Sequence, residues 1–223
     1  MTKEVDTVAK KKAPEIVEKT VVFDPSDDRT VVADQAIADP DILTALVEAL
    51  SDPSRRVRQF SASALGAVAE SDPELLKPYS EQLADALHRP EAQTRWEVLD
   101  ILHALVDVDA RTMDKALDGI ETALHDENSG IVRLAAFRAL ASYGATTEHR
   151  SEKVWPLIDE AIQCYHGDAE FNSMLDSLLE FTEGKATEDV REGIAERMAF
   201  DAQETRNPLH VRAQEIVDAA ERK

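Results

Sequence analysis

The feature that most constrains the fold of this chain is an interval of 37 residues at which its apolar pattern recurs. Leu50, Leu87 and Leu124 lie 37 residues apart, and each closes a stripe of apolar residues at helical spacing. Two further series recur in the same register, at intervals of 37 or 38 residues: Arg58, Arg95 and Arg133, and Leu65, Leu102 and Leu140. A period of this length, with two helical stripes in each unit, is typical of helical hairpins stacked into a solenoid.

Each unit reads as two helices joined by a polar turn. Asp39-Pro40 and Asp72-Pro73 each combine an aspartate, which can cap a helix, with a proline, which favours the first helical position. In the first unit, the stripe that ends at Leu50 is followed by the polar residues 51–54 and by a second stripe over residues 57–68. The second stripe is rich in small residues, so we expect the second helices to approach their neighbours closely.

Composition supports a helical fold. The 223 residues include only seven Gly and nine Pro, and 5% are aromatic, which argues against an all-β fold. We predict an all-α protein, a right-handed α-α superhelix of about five helical hairpins, with the first helices outside and the second helices lining the concave side. We expect this repeat domain to cover residues 39–223, with an atypical last unit that acts as a cap.

A different composition marks the N-terminal segment. The first twenty residues contain five Lys, three of them at Lys10 to Lys12, and four acidic residues, whereas the rest of the chain is strongly acidic. Neither these residues nor the polar run 24–28 shows sustained helical spacing. We therefore predict that residues 1–38 form a flexible arm, which either tethers the solenoid or carries its lysines to an acidic surface.

One segment resembles a known family. Residues 50–66, LSDPSRRVRQFSASALG, are similar to the HEAT repeat, in which an Asp in the turn is followed by Val-Arg, small residues and Ala-Leu-Gly. The resemblance extends over residues 39–145 and weakens afterwards. It implies an α-solenoid that holds another macromolecule. It also implies that the recurring arginines bridge acids of the turns, here Asp52 and Asp126.

The residues give no sign of a catalytic centre. The chain contains no Gly-rich phosphate loop, no Gly-x-Ser-x-Gly and no His-Glu-x-x-His. Cys164, His166 and Asp168 come nearest to a set of metal ligands, but no second Cys or His pair completes the set. We expect no enzymatic activity, no metal and no cofactor.

Charge and cysteine content narrow the class of partner and the compartment. The chain has 45 acidic residues against 25 Lys and Arg, a formal charge of −20, which repels nucleic-acid backbones and anionic membranes. Cys164 is the single cysteine, and no long apolar run is present, so we expect a cytoplasmic protein without a membrane span. The sequence predicts a non-catalytic scaffold or adaptor for a protein or peptide partner, and leaves its oligomeric state open.

Two other classes remain as alternatives. Some HEAT-like proteins are DNA glycosylases that hold duplex DNA in the concave groove, and seven arginines in turns or on second helices would suit that role: Arg55, Arg56, Arg58, Arg89, Arg95, Arg133 and Arg138. A prosthetic-group lyase on a HEAT-like scaffold is a more distant alternative, since no residue here carries its chemistry.

Helix geometry predicts where a partner binds. With one stripe of each second helix buried, the opposite face of the second and third units presents an apolar patch with charged residues around it: Trp96, Leu99, Asp100, His103, Leu134, Phe137 and Arg138. The same face of the fourth unit contributes Ser173, Asp176, Ser177 and Glu180, and that of the first unit includes Gly66. An apolar centre with a charged rim is typical of a protein-binding surface. The alternative is that these apolar side chains pack against each other in the core.

Overall fold

In a computed structural model of the protein, which describes residues 23–204, 206 and 208–222, all regular secondary structure is helical. Two short 3₁₀ helices, Pro73–Tyr79 and Ala110–Met113, precede α4 and α6. The α-helices are α1 Arg29–Ala38, α2 Pro40–Ala49, α3 Arg55–Ser71, α4 Ser80–Ala86, α5 Ala92–Asp109, α6 Leu117–Leu124, α7 Gly130–Gly144, α8 Glu148–Tyr165, α9 Phe171–Glu183, α10 Glu188–Gln203 and α11 His210–Glu221. The predicted all-α solenoid of five hairpins is confirmed.

The helices form two rows. The inner row consists of α1, α3, α5, α7, α9 and α11, and each of these helices packs against the next. The outer row consists of α2, α4, α6, α8 and α10, and each outer helix packs on an inner helix of its own hairpin, while the outer helices make fewer contacts with one another. One continuous core runs between the rows, with Leu46, Leu65 and Leu102 among its fully buried side chains. The tighter inner row curves the solenoid toward the inner side.

The predicted boundary between arm and repeat domain is wrong. Residues 29–38, which we expected in a flexible arm, form α1, and Val32, Ala33 and Ala36 of this helix are buried. Asp28 starts α1 by accepting hydrogen bonds from the backbone N–H of Thr30, at 2.9 Å, and from its hydroxyl, at 2.7 Å. This helix covers α3 at the N-terminal end of the inner row, where an apolar face would otherwise meet water. Of the rest of the predicted arm, residues 23–28 are described, and Phe23 is buried and stacks on Phe60. Residues 1–22 lie outside the described residues.

The helix start predicted at Asp39-Pro40 in the first unit is confirmed, whereas the one predicted at Asp72-Pro73 in the second unit differs from the structure. The Asp39 carboxylate accepts a hydrogen bond of 2.9 Å from the backbone N–H of Asp41, with Pro40 in the first turn. Asp72 caps no helix with its side chain, and the segment after it is 3₁₀-helical as far as Tyr79. Pro78 explains this difference, because proline has no N–H to donate and disrupts a continuous α-helix.

The recurring arginines join each unit to the next. Arg58 donates to the backbone carbonyls of Asp52 and Pro53 in its own turn, at 2.6 and 3.0 Å, and forms an ion pair with Glu91 of the following unit. The second and third units repeat the arrangement, since Arg95 pairs with Asp126 and Arg133 pairs with Asp168. We call these three pairs the arginine ladder.

The ladder confirms the structural role expected of these arginines and corrects one partner. Asp126 is bridged as predicted, through its carboxylate by Arg95 and through its backbone carbonyl by Arg133 at 2.9 Å. Asp52 offers Arg58 its carbonyl, while its carboxylate accepts a hydrogen bond of 2.7 Å from the backbone N–H of Ser54. In the fourth unit Asn172 stands at the position of the arginine, and the ladder ends there.

Burial makes the first pair of the ladder important for stability. The side chains of Arg58 and Glu91 are 12% and 6% exposed. The hydrogen bond from Arg58 lowers the pKa of Glu91 below its ordinary value of 4.5, and the same bond raises the pKa of Arg58. A depressed carboxyl pKa contributes stability above pH 4.5, and this contribution is lost as the pH falls through the lower pKa of the folded protein.

We therefore expect Arg58→Ala to lower the free energy of unfolding by about 3 kcal/mol at neutral pH, because it leaves the Glu91 carboxylate buried without its partner. Urea denaturation measures this change. The matched control is Lys115→Ala, since Lys115 and Glu81 form a pair in which both side chains are about two-thirds exposed and which is worth at most about 1 kcal/mol. Equal losses of unfolding free energy in the two variants would contradict a structural role for the ladder. The loss in Arg58→Ala should approach the loss in Lys115→Ala only below about pH 4.5, where Glu91 becomes protonated.

Candidate functional site

A groove of about 580 Å³ crosses the inner face of the solenoid. Four consecutive inner helices, α3, α5, α7 and α9, contribute to it. The lining residues are Gly66, Ala69, Glu70, Glu97, Asp100, Ile101, His103, Ala104, Arg138, Ser173, Asp176, Ser177 and Glu180. A groove that spans four repeats gives an elongated ligand a continuous path across the helices.

The groove is strongly acidic. Five carboxylates line it, against one arginine and one histidine. Asp100 and Asp176 are paired with arginines of the protein. No Lys or Arg in the part of the chain that the structure describes forms an ion pair with Glu70, Glu97 or Glu180. The lining therefore holds more carboxylates than the described Lys and Arg residues pair with.

Small residues bring one of these carboxylates close to the groove floor. A Cβ atom on Gly66 would lie 3.0 Å from Oε2 of Glu97, so glycine lets the side chain of Glu97 lie against α3. Ala69 and Ala104, which also line the groove, leave its floor open. A larger side chain at position 66 would push the Glu97 carboxylate away from α3.

Burial changes the acid–base properties of three lining groups. Burial is the main cause that raises the pKa of Glu97. A hydrogen bond with Ser63 and the positive charge of Arg29 oppose this rise, and the neighbouring carboxylates of Asp100 and Glu70 add to it. Burial likewise raises the pKa of Asp100, against the opposing effect of Arg138. The pKa of His103 is lowered, first by burial and then by the positive charge of Arg138. The groove thus disfavours added negative charge and holds carboxylates that gain from a cationic partner.

Two arginines of the protein point to where such a partner would bind. Arg138 on α7 donates from Nη1 to Oδ1 of Asp100 at 3.0 Å, and both side chains remain partly exposed. Arg212 on α11 lies 2.7 Å from Oδ1 of Asp176. Both pairs show that a guanidinium fits against the carboxylates of this face.

The structure brings together the polar residues of the predicted site. Asp100, His103 and Arg138 line the groove, as do the residues expected from the first and fourth units: Gly66, Ser173, Asp176, Ser177 and Glu180. Sequence reasoning missed Glu70 and Glu97. Helical spacing could have found them, because Glu70 lies one turn after Gly66 and Glu97 lies one turn before Asp100.

The predicted apolar centre of the site is wrong. Leu99 and Phe137 are completely buried, and Trp96 and Leu134 are partly buried against the core outside the groove lining. The prediction allowed each second helix one buried stripe. An inner helix instead contacts the helix on either side of it as well as its own outer helix, so that only a narrow strip of its surface reaches solvent.

The positive edge on which the nucleic-acid alternative depends is largely neutralised. Four of its seven arginines form ion pairs with carboxylates: Arg58, Arg95, Arg133 and Arg138. Arg89 donates to the hydroxyl of Ser51 at 2.8 Å. These five side chains are engaged within the protein, whereas Arg55 and Arg56 are exposed.

Within the described residues, no group of three or more His, Cys, Asp or Glu side chains is placed to hold a metal ion. The three residues considered as metal ligands have other surroundings. His166 lies 3.1 Å from the Asp201 carboxylate, Asp168 pairs with Arg133, and Cys164 is an exposed thiol.

Of the helices that the structure describes, none has the length and apolar content needed to cross a membrane.

Comparison with known proteins agrees with this architecture. Residues 42–71, which include most of the first hairpin, match the HEAT repeat family model. The chain is similar to a designed armadillo repeat protein in complex with the peptide (KR)4, at 15% identity and a TM-score of 0.69, over 86% of this chain and 90% of the other. An engineered protein is 17% identical with a TM-score of 0.67, over 88% and 85% of the two chains.

An archaeal HEAT-like repeat protein from Thermococcus onnurineus is also similar, at 14% identity and a TM-score of 0.53, over 88% of this chain and 93% of the other. No curated protein matches the sequence. The predicted resemblance to HEAT repeats is confirmed, and the structural similarities establish a HEAT or armadillo type of solenoid fold.

The revised place of Phe137 is open to a direct test. We expect Phe137→Ala to lower the free energy of unfolding by about 3 to 5 kcal/mol, because it opens a cavity in the core. Leu134→Ala, on the same helix but at a partly exposed position, should cost less. Thermal unfolding measures both changes. An unaltered melting temperature for Phe137→Ala would contradict a place for this side chain in the core.

Proposed function

We propose that this protein is a non-catalytic binding module that holds an extended, positively charged segment of another protein in the inner groove. One observation carries the proposal: the groove crosses four repeats and is lined by five carboxylates, three of which have no ion-pair partner among the described residues. The proposal keeps the concave inner face as the binding surface. It replaces the apolar centre predicted from sequence with a polar, acidic one.

Electrostatics favours a cationic partner for this groove. Carboxylates that are partly removed from water interact with an opposite charge more strongly than fully solvated ones, because the surrounding dielectric constant is lower. A concave surface with charges of one sign also concentrates its field and speeds the arrival of an oppositely charged ligand. The same field repels the phosphates of nucleic acids.

The dimensions of the groove suit an extended peptide. Packed helices lie about 8 to 10 Å apart, so four inner helices span about 24 to 30 Å. A fully extended peptide covers at most about 3.3 to 3.6 Å per residue, and eight residues therefore match this span. The solved structure of a designed armadillo repeat protein in complex with (KR)4, which has a similar fold, supports a ligand of this kind.

The remaining parts of the proposal concern chemistry and compartment. Ser173, Ser177 and His103 line the groove, but among the described residues no hydrogen bond joins either serine to His103, whose Nδ1 has no partner. We infer that the groove binds without catalysing a reaction. Cys164 is a free, exposed thiol. Exposed thiols persist in reducing compartments, and we place the protein in the cytoplasm.

The proposal predicts that a fluorescently labelled peptide of four Lys-Arg repeats binds with a micromolar or lower Kd, measured by fluorescence anisotropy at 50 mM salt. Replacing the three carboxylates that have no ion-pair partner, Glu70→Gln, Glu97→Gln and Glu180→Gln together, should weaken binding at least about ten-fold.

The matched control removes the same charge elsewhere. Glu74, Glu121 and Glu152 are exposed acids that do not line the groove, and their replacement by Gln should leave the Kd within about two-fold. Equal weakening in the two triple variants would show that net charge alone attracts the peptide. Failure of the wild-type protein to bind the peptide would overturn the proposed function.

Peptide binding should also depend on pH in the acidic range. Because burial raises the pKa values of Glu97 and Asp100, these groups take up protons at a higher pH than ordinary carboxyls. We expect the affinity for the Lys-Arg peptide to decline as the pH is lowered from 7 toward 5, and the decline to be smaller in Glu97→Gln. Anisotropy titrations across this range measure it, and an affinity that stays constant down to pH 4.5 would contradict the role of the two groups.

A further inference from the structure

Arg138 places a guanidinium near the centre of the groove. Among the described lining residues it is the only Lys or Arg, and its guanidinium binds the Asp100 carboxylate at 3.0 Å. Arg29, which donates to Ser63 beside the groove, also acts on Glu97 by its charge. Asp100 also lies near His103, Glu70 and Glu97. Arg138 therefore occupies the position at which an arginine of a ligand would meet the middle of the acidic groove.

We propose that Arg138 is an internal competitor for the groove, which a cationic ligand must displace from Asp100 before it binds fully. The inference rests on the proposed function and concerns the selectivity of the same site. Its consequence is that a ligand with a single positive charge gains little at Asp100, because it exchanges one guanidinium for another. A ligand with several charges also reaches Glu70, Glu97 and Glu180, which form no ion pair with any Lys or Arg among the described residues.

The geometry allows this displacement. The side chains of Arg138 and Asp100 are 38% and 47% exposed, so water reaches both partners and the pair can separate without opening the core. Exposed pairs of this kind contribute little to stability. This distinguishes Arg138 from Arg58, Arg95 and Arg133, whose side chains are 12 to 15% exposed and join the turns of neighbouring units.

The experiment measures the Kd for the labelled peptide of four Lys-Arg repeats in three variants. Arg138→Gln should bind the peptide about three- to five-fold more tightly than wild type, because the peptide no longer competes with an internal guanidinium. Arg138→Lys keeps the positive charge and should stay close to wild type. The control Arg197→Gln removes an equal charge from a pair on the outer row, with Asp159, and should leave the Kd unchanged.

A double variant tests whether Asp100 is the carboxylate that the loss of Arg138 frees for the peptide. In the Arg138→Gln background, Asp100→Asn should return the affinity to about the wild-type value, because the freed carboxylate is lost. Thermal unfolding should show nearly equal melting temperatures for Arg138→Gln and wild type, which excludes a change in folding as the cause.

The outcomes separate the two proposals. A wild-type protein that binds the peptide, with Arg138→Gln binding equally or more weakly, would overturn the competitor role and leave the proposed function standing. An equal gain in Arg138→Gln and Arg197→Gln would also overturn it, since net charge would then explain the effect. Absence of peptide binding in wild type and in every variant would overturn both.

Discussion

The ion pairs between successive turns are the interaction on which the rest of this solenoid depends. Apolar packing holds neighbouring inner helices together, but the hydrophobic effect itself is not directional. A planar guanidinium that binds one or two carbonyls of its own turn and a carboxylate of the next turn fixes both distance and orientation. The ladder formed by Arg58, Arg95 and Arg133 therefore sets the register in which the units stack.

The groove follows from that register. Its carboxylates come from helices of three different units, and Asp100, Asp176 and Glu180 share one surface only while α5, α7 and α9 keep their alignment. Closely packed inner helices leave just one narrow strip of each helix in contact with solvent. Charged residues stand on these strips, and fully buried residues such as Leu99 and Phe137 stand beside them on the same helices, so that the binding surface and the core are separated within a single helical turn.

The sequence predicted the features that a repeating pattern encodes, but not those that depend on how the helices pack together. The interval between Leu50, Leu87 and Leu124 was sufficient to predict the hairpins, and the arginine series predicted bridges between turns. The prediction of an apolar centre for the site was wrong because the number of helices around an inner helix determines how many of its faces are buried. No local sequence pattern indicates that number. Leu99 and Asp100 are adjacent in sequence, yet one is completely buried and the other is exposed. The apolar pattern did not predict α1, because the buried side chains of this helix are mostly alanines.

The forward direction of the ladder gives the two ends of the solenoid different chemistry. Each arginine reaches toward the following unit, so a chain cut after any of the first three units ends in a guanidinium whose acceptor has been removed. A chain that starts at the second, third or fourth unit begins instead with an unmatched carboxylate, that of Glu91, Asp126 or Asp168. Shortened forms of the protein therefore carry opposite charges at their cut ends, and mixing an N-terminal piece with a C-terminal piece would favour joining them head to tail in the original order. Asn172 closes the series with a neutral side chain, so the fourth hairpin carries no forward-reaching arginine at this position.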